Sequence, residues 1–247
     1  MIQMLAMIIR NSGKKTKSKT MTEENKPVEV WQHFYLEHTS SNNFYPENFV
    51  IRVLKSKAPV QFINDKYYGK KILDLGCGYG RHIPFLTNCG FNVTGLEVSE
   101  SQVESLKEAF PSTEFITGNA NSIPVEDKYF EYLLACNSIY YLDNENMPIN
   151  LHFNECARVL CAGGKIIFSM LGIKHSIFNN CTKLANHNYQ INEDFLGFRN
   201  GVLIRPYLES DNYDEIFTGF IVDHHGEIIE TVSGFCRHIH YFVATRS

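Results

Sequence analysis

Lys71-Ile72-Leu73-Asp74-Leu75-Gly76-Cys77-Gly78-Tyr79-Gly80-Arg81 is the stretch that decides the fold. A short apolar run ends in an acid, Asp74, and three glycines follow at alternate positions. That order predicts a buried strand running into a tight turn, with a helix behind it. Glycine has no Cβ, so the backbone of such a turn can approach a ligand closely. The first N–H groups of the following helix are expected to point at whatever lies above.

Outward from the turn, strand and helix patterns alternate. Ile83, Leu86 and Cys89 mark one face of a helix that Gly90 closes. Asn92–Glu97 reads as a second strand, and Ser99-x-x-Gln102 as a capping box. Val103, Leu106 and Phe110 then repeat at helical spacing, ahead of Pro111. Glu114–Thr117 and Phe130–Cys136 read as a third and a fourth strand. Ile149, Phe153, Cys156 and Leu160 predict a helix ended by Gly163-Gly164, with Lys165–Met170 as the fifth strand. This alternation predicts a parallel sheet wrapped by helices. It breaks at Leu171–Ser210, which shows no period; Asp211–Phe217 reads as a short helix. Gly226–Ser233 and His238–Thr245 read as an antiparallel hairpin joined around Gly234.

Upstream, residues 1–26 are expected to be a disordered extension, since Asn11–Thr20 is polar and basic without apolar period. A start at Met21 is a related expectation, which the intact mass of the native protein decides. Residues 27–70 read as a helical cap. In it Trp31, Phe34 and Tyr35 sit at helical spacing, and a second helix beyond Pro46 shows the face Phe49, Val50, Val53 and Leu54. The aromatics suit either a core or a lid over the glycine turn.

The chain has 247 residues, enough for one large domain or a domain with an appendage. Net charge is −4, but residues 1–20 hold five basic residues and no acid, leaving 18 basic and 27 acidic residues in the rest. An acidic body is a poor match for long nucleic acid, so a nucleic-acid partner is not expected. Seven cysteines without a C-x-x-C pair point to a reduced, cytoplasmic setting. The apolar stretch Met1–Ile9 is too short to span a bilayer, and its charges follow rather than precede it. Neither a membrane partner nor an export signal is expected.

The glycine spacing separates the candidate ligands. A dinucleotide fingerprint needs G-x-G-x-x-G, and here Arg81 takes the place of the third glycine. A P-loop needs a G-K-[ST] that is absent. The stretch closely resembles the first motif of the class I S-adenosylmethionine-dependent methyltransferases. The resemblance runs in register over about residues 70–170, through Gly95-Leu96-Glu97-Val98-Ser99, Gly118-Asn119-Ala120, Ile123-Pro124, Tyr129-Phe130-Glu131 and Arg158-Val159-Leu160-x-x-Gly163-Gly164.

The resemblance implies an α/β, Rossmann-like, doubly wound and mostly parallel sheet with a C-terminal antiparallel hairpin. It places the domain at 71–247, with a substrate-lid insertion at about 171–216. S-adenosylmethionine is the implied cofactor and S-adenosylhomocysteine its product. Asp74, Gly76, Cys77, Gly78 and Gly80 would hold the amino-acid end of the cofactor, and Glu97 with Val98 the ribose. Asn119, where Asp is usual, and Ala120 would frame the adenine, and Asn137 begins the segment facing the methyl group. Tyr35 is a further candidate from the lid, and Arg52 for the cofactor carboxylate.

For the chemistry, His175 is the preferred general base by position, and Tyr141, beside Tyr140, a candidate in the acceptor pocket. His238 and His240 share a strand face, but with Asp223 they fit no familiar metal spacing, so no metal is expected. Asn137–Leu142 is neither N-P-P-Y nor a Pro-Cys site, which disfavours adenine, glutamine-nitrogen and cytosine-C5 chemistry. A small-molecule acceptor methylated on O or N, such as a metabolite, sugar or glycan precursor, is the leading expectation, with a monomer or homodimer. A protein or RNA methyltransferase of the same fold, and a non-catalytic cofactor-binding regulator, are the alternatives.

Overall fold

The computed structural model describes residues 26–37 and 45–247. The expected extension, the polar loop Thr39–Asn43 and Phe44 therefore lie outside the described residues, apart from Lys26. Helix α1 (Lys26–Glu37) and helix α2 (Asn48–Lys55) precede the sheet. Strands β1 (Lys71–Leu75), β2 (Asn92–Glu97), β3 (Glu114–Thr117) and β4 (Phe130–Ala135) alternate with α3 (Ile83–Cys89) and α4 (Glu100–Ala109). Then follow β5 (Tyr141–Leu142), α5 (Asn150–Val159) and β6 (Leu160–Leu171). The insertion holds β7 (Cys181–Lys183), β8 (Tyr189–Ile191) and β9 (Leu203–Ile204), and the chain ends with α6 (Tyr213–Ile216), β10 (Phe220–Val232) and β11 (Phe235–Arg246).

The main sheet has the order β10-β11-β6-β4-β1-β2-β3. Its pairs from β6 to β3 are parallel, while β11 runs antiparallel to both β6 and β10. Burial explains why β4 reads as a continuous apolar run. Leu133 and Ala135 enter the core beneath α5, while Tyr132 and Leu134 enter the core beneath α2, α3 and α4. Helix α2 buries Phe49, Val50, Val53 and Leu54, each worth roughly 1.5–3 kcal/mol relative to exposure. Arg158 fastens the motif residues to one another, donating to the Ile123 and Val125 carbonyls at 2.8 Å each.

Several boundaries differ from the sequence expectation. Helix α5 stops at Val159, and Gly163-Gly164 fall within the early part of β6 instead of ending the helix. Pro46 precedes the N-cap, Glu47, and is not in the first turn of α2. The capping box is half formed: Ser99 Oγ accepts from the Gln102 N–H, but the Gln102 side chain donates to the Gly78 carbonyl at 3.0 Å. The terminal hairpin is much longer than expected, with Ser233 and Gly234 both at positive φ in its turn. The aperiodic stretch contains strands of two or three residues, which join β5 in a second sheet of order β5-β9-β8-β7. The insertion is thus stitched to the segment that leaves β4.

Candidate active site

Asp74 and Glu97 lie near or at the carboxyl ends of the neighbouring parallel strands β1 and β2, and both are buried. The turn between β1 and α3 is shaped by what presses on it. At Gly76, φ is +69° and a Cβ would fall 2.5 Å from Cβ of Ser138, so only glycine fits. Ser138 Oγ donates to the Leu75 carbonyl at 2.6 Å, which locks the segment after β4 against the turn. Gly78 is different. Its φ is +59°, and the atom nearest a Cβ there is the Tyr35 hydroxyl at 3.5 Å.

The turn is not an array of free donors. Gly76 N–H and Cys77 N–H both donate to the Leu96 carbonyl, at 2.8 and 3.0 Å, and Gly80 N–H donates to Cys77. Gly78 N–H donates to Glu97 Oε2 at 3.0 Å, and Val98 N–H to Glu97 Oε1 at 2.9 Å. The backbone N–H of Cys77 is therefore not available to a ligand, and its buried thiol packs towards Gly95. The expectation of free N–H groups yields to one of two buried carboxylates.

Those carboxylates differ. Burial pushes Glu97 above the usual carboxylate range, against hydrogen bonds from Gly78, Val98 and Ser99 that pull it back. Asp74 is 1% exposed, and its Oδ2 makes no hydrogen bond. The nearest cation is His82, with Nδ1 at 3.6 Å from that oxygen. Burial would lower His82, but Cys136 and Asp74 outweigh it and push the imidazole up to about 9. His82 was not singled out in the sequence; its place directly after Gly80-Arg81, at the start of a helix, was the available signal. Arg81 donates to Glu47 at 3.0 Å, and Glu47 also pairs with Arg237 at 2.6 Å. The His82 charge faces this oxygen but donates no hydrogen bond to it; a buried carboxylate oxygen that keeps its lone pairs free fits a ligand that carries an ammonium.

Aromatic rings of α1 cover the turn. Tyr35 donates to Glu97 Oε2 at 3.3 Å and meets Tyr79 edge-on at 5.0 Å. Burial, then the Glu97 charge, holds the Tyr35 phenol well above its ordinary pKa, so it stays protonated. Trp31 lies edge-on to Tyr141 at 5.2 Å, and Phe34 stacks on Phe198 of the insertion at 4.0 Å.

Asn119 turns its Nδ2 to Asp143, at 3.1 and 3.2 Å from the two carboxylate oxygens, and Asn121 donates to the same acid. Asp143 follows β5 and was not read from the sequence. Ala120 is half-buried beside Asn119. Asn137 is a non-glycine residue at φ +58°, anchored by its N–H to Ser169 Oγ at 2.8 Å and by its Oδ1, which accepts from the same hydroxyl at 3.2 Å. Left-handed backbone at the end of a core strand is strain of the kind found at functional positions.

Two of the expected site residues stand apart from the turn. Arg52 is an exposed residue of α2, and among the described residues no hydrogen bond or ion pair joins it to the turn; the apolar side of α2 faces the core, leaving Arg52 to solvent. His175 caps a short 3-10 helix, its Nδ1 accepting from the Ile177 N–H at 3.1 Å. That occupies the lone pair a neutral imidazole would use as a base. Burial and the positive charges of Arg199 and Arg237 lower it further, to about 4. Tyr141 lies against Trp31 of the cap, and its hydroxyl accepts from Arg199 at 3.3 Å, with Arg199 held by the buried Asp194 at 2.7 Å.

The sequence profile described as "Methyltransferase domain" matches residues 73–168. Over 110 residues the chain is 29% identical to "O-methyltransferase resE" of Aspergillus sclerotiorum, covering 42% of this chain and 40% of that protein. It is 26% identical over 156 residues to "Ubiquinone/menaquinone biosynthesis C-methyltransferase UbiE" of Campylobacter jejuni, covering 60% of this chain and 64% of that one. The chain thus spans less than two thirds of the length of these curated relatives. In fold it is similar to a crystal structure of a SAM-dependent methyltransferase from Methanosarcina mazei, with a TM-score of 0.62, 16% identity, and coverage of 82% of this chain and 98% of that one. Sheet order, glycine turn and profile agree: residues 73–168 carry a methyltransferase domain, within the fold of the class I S-adenosylmethionine-dependent methyltransferases.

Proposed function

We propose that the protein transfers a methyl group from S-adenosylmethionine to a small-molecule acceptor. The observation that carries the reading is the buried Oδ2 of Asp74 beside the glycine turn, which has His82 at 3.6 Å but accepts no hydrogen bond. Asp74 would take the cofactor ammonium, and Glu97 the two ribose hydroxyls in place of the Tyr35 hydroxyl. Gly78 leaves the turn open to the amino-acid arm. Asn119, Ala120 and Val98 would frame the nucleoside, with Asp143 fixing the Asn119 amide so that its oxygen, which accepts only a long 3.5 Å bond from the Asn121 N–H, keeps a lone pair for it. When bound, the cofactor supplies an electrophilic methyl group, and the chain contributes alignment and exclusion of water.

A small acceptor is supported by the cover over the site. The helical cap 27–70 and the insertion at about 171–216 meet through Phe34 and Phe198, and Tyr141 lies against the same cap. Such a lid suits a metabolite better than a polymer. The relatives agree, one being an O-methyltransferase and one a C-methyltransferase of quinone biosynthesis. The acceptor atom, O or N in the sequence reading, is therefore extended to carbon.

Calorimetry with S-adenosylmethionine and S-adenosylhomocysteine tests the first step, and binding of both is expected. A radiolabelled methyl screen against metabolite, protein and RNA pools tests the second, with label expected in the metabolite pool. Absence of cofactor binding at millimolar concentration sinks the proposal, while label only in protein or RNA overturns the acceptor class. Binding without label in any pool favours a regulator.

Once an acceptor is known, His175→Asn is informative because it keeps a capping acceptor. Turnover is expected to fall less than about tenfold, against the roughly 10²–10⁴-fold that loss of a general base costs. A larger fall, with loss of one limb of the pH–rate profile, restores His175 as the base.

A further inference from the structure

We infer that the terminal hairpin carries a divalent metal site made by Glu227, His238 and His240, a proposal that does not rest on the methyl-transfer reading. Glu227 on β10 stands directly across from His240 on β11, and His238 lies two residues away on the same strand face. One donor atom from each of the three lies within 4.8 Å of the other two. Ligands of one ion bonded at about 2.0–2.2 Å stand nearer together than that, so the site closes by about an ångström on loading. Glu227 is exposed and has that freedom. Asp223, which the sequence placed beside these histidines, is engaged elsewhere, with Lys165 at 3.3 Å and Thr245 at 2.6 Å.

The surroundings resemble the outer shell of a metal site more than a surface cluster. His238 and His240 are 3% and 5% exposed. His240 Nδ1 is paired with His225 Nε2 at 2.9 Å, and His225 Nδ1 with the Tyr213 hydroxyl at 2.9 Å. That chain orients His240 and leaves Nε2 as its ligand nitrogen. The cluster opens onto a groove of about 410 Å³, also lined by Tyr207 and Glu209, which gives the ion exchangeable positions.

One contact opposes the ion in the metal-free state. Lys174 N–H donates to His238 Nδ1 at 3.1 Å, which places the His238 proton on Nε2, shared with Glu227 at 2.7 Å. An ion takes the place of that proton, which passes to Nδ1 as the amide of Lys174 turns away. Ile173 and Lys174 form an exposed bend, so the backbone has room to turn. Two imidazoles and one carboxylate select a borderline cation such as Zn²⁺, Co²⁺ or Ni²⁺ over Mg²⁺ or Ca²⁺.

The test uses the full chain stripped with a chelator and titrated with Co²⁺ and with Zn²⁺. One ion per chain is expected, with nitrogen and oxygen scattering in X-ray absorption and a shift of the Lys174 amide resonance. Glu227→Gln and His240→Gln should each weaken binding at least about 100-fold, and His225→Phe, which keeps the ring, about 10–100-fold. Glu227 is exposed, so that variant folds whatever the fate of the histidine variants. No stoichiometric ion, sulfur-dominated scattering from the cysteines, or binding that survives Glu227→Gln and His240→Gln unchanged overturns the site.

Discussion

Asp74→Asn is expected to weaken S-adenosylmethionine binding by about 10- to 100-fold without unfolding the protein. The size follows from a hydrogen bond between charged groups, about 1.5–3 kcal/mol, at about 1.4 kcal/mol per decade of affinity. Asparagine has nearly the same shape, so the packing around a position 1% exposed is kept. It removes the negative charge and leaves an arriving ammonium without its partner. The variant also takes away one of the two groups that hold His82 up at about 9. A raised histidine contributes stability that is fully present below its unfolded pKa of about 6.5 and is lost as pH rises through the folded value. In the parent that loss extends to about pH 9; in Asp74→Asn it should come at lower pH. Calorimetry and a pH series of thermal melts read the two effects separately. An unchanged affinity removes Asp74 from the cofactor site.

The largest effect on stability is expected from Asp194→Ala, at about 3–5 kcal/mol for the unit that contains it, because it strands a buried charge. Arg199 donates to Asp194 from Nη2 at 2.7 Å, from Nε at 3.0 Å and from its backbone N–H at 3.1 Å. Asp194 has a fully buried side chain. Burial alone would raise its pKa, but the hydrogen bonds and charge of Arg199 hold it below the usual carboxylate range. The sign follows: the pair stabilises at pH values above the unfolded pKa of about 3.9, and the contribution is lost as pH falls through the lower folded value. Hydrogen exchange should show the insertion opening in Asp194→Ala while the main sheet keeps its protection. Uniform loss of protection would mean that the insertion and the sheet are one cooperative unit.

The parallel core was legible because its signals are local and repeated. β1, β2 and β3 fall where the apolar runs, the glycines and the capping serine put them. Asp74 and Glu97 could be named because a carboxylate at a strand end follows from register alone. The insertion was not legible, since strands of two or three residues are too short to show alternation. Nor could the sequence show that Asn119 faces Asp143, or that Arg199 is neutralised by Asp194, because these pairings depend on how the insertion folds back on β5. His175 and Arg52 were placed correctly along the chain. Which way a ring nitrogen or a helix face is turned is not a property of sequence position. The histidines of β11 show the reverse case: their alternation was visible, but their acid partner lies across the strand pair and not beside them in sequence.

The contact of Ser138 with Gly76 has a consequence for precision. Ser138 hangs from the end of β4 and Gly76 from the end of β1, and these strands are direct neighbours in the sheet. On the proposed reading, one end carries the methyl donor and the other the wall of the acceptor pocket. Their separation is then gauged by the interstrand spacing, about 4.8 Å and among the least compressible dimensions of a protein. A displacement of about 1 Å can cost 100-fold in rate. The tolerance for that alignment would be inherited from the backbone ladder, leaving the cover over the site free to vary with the acceptor.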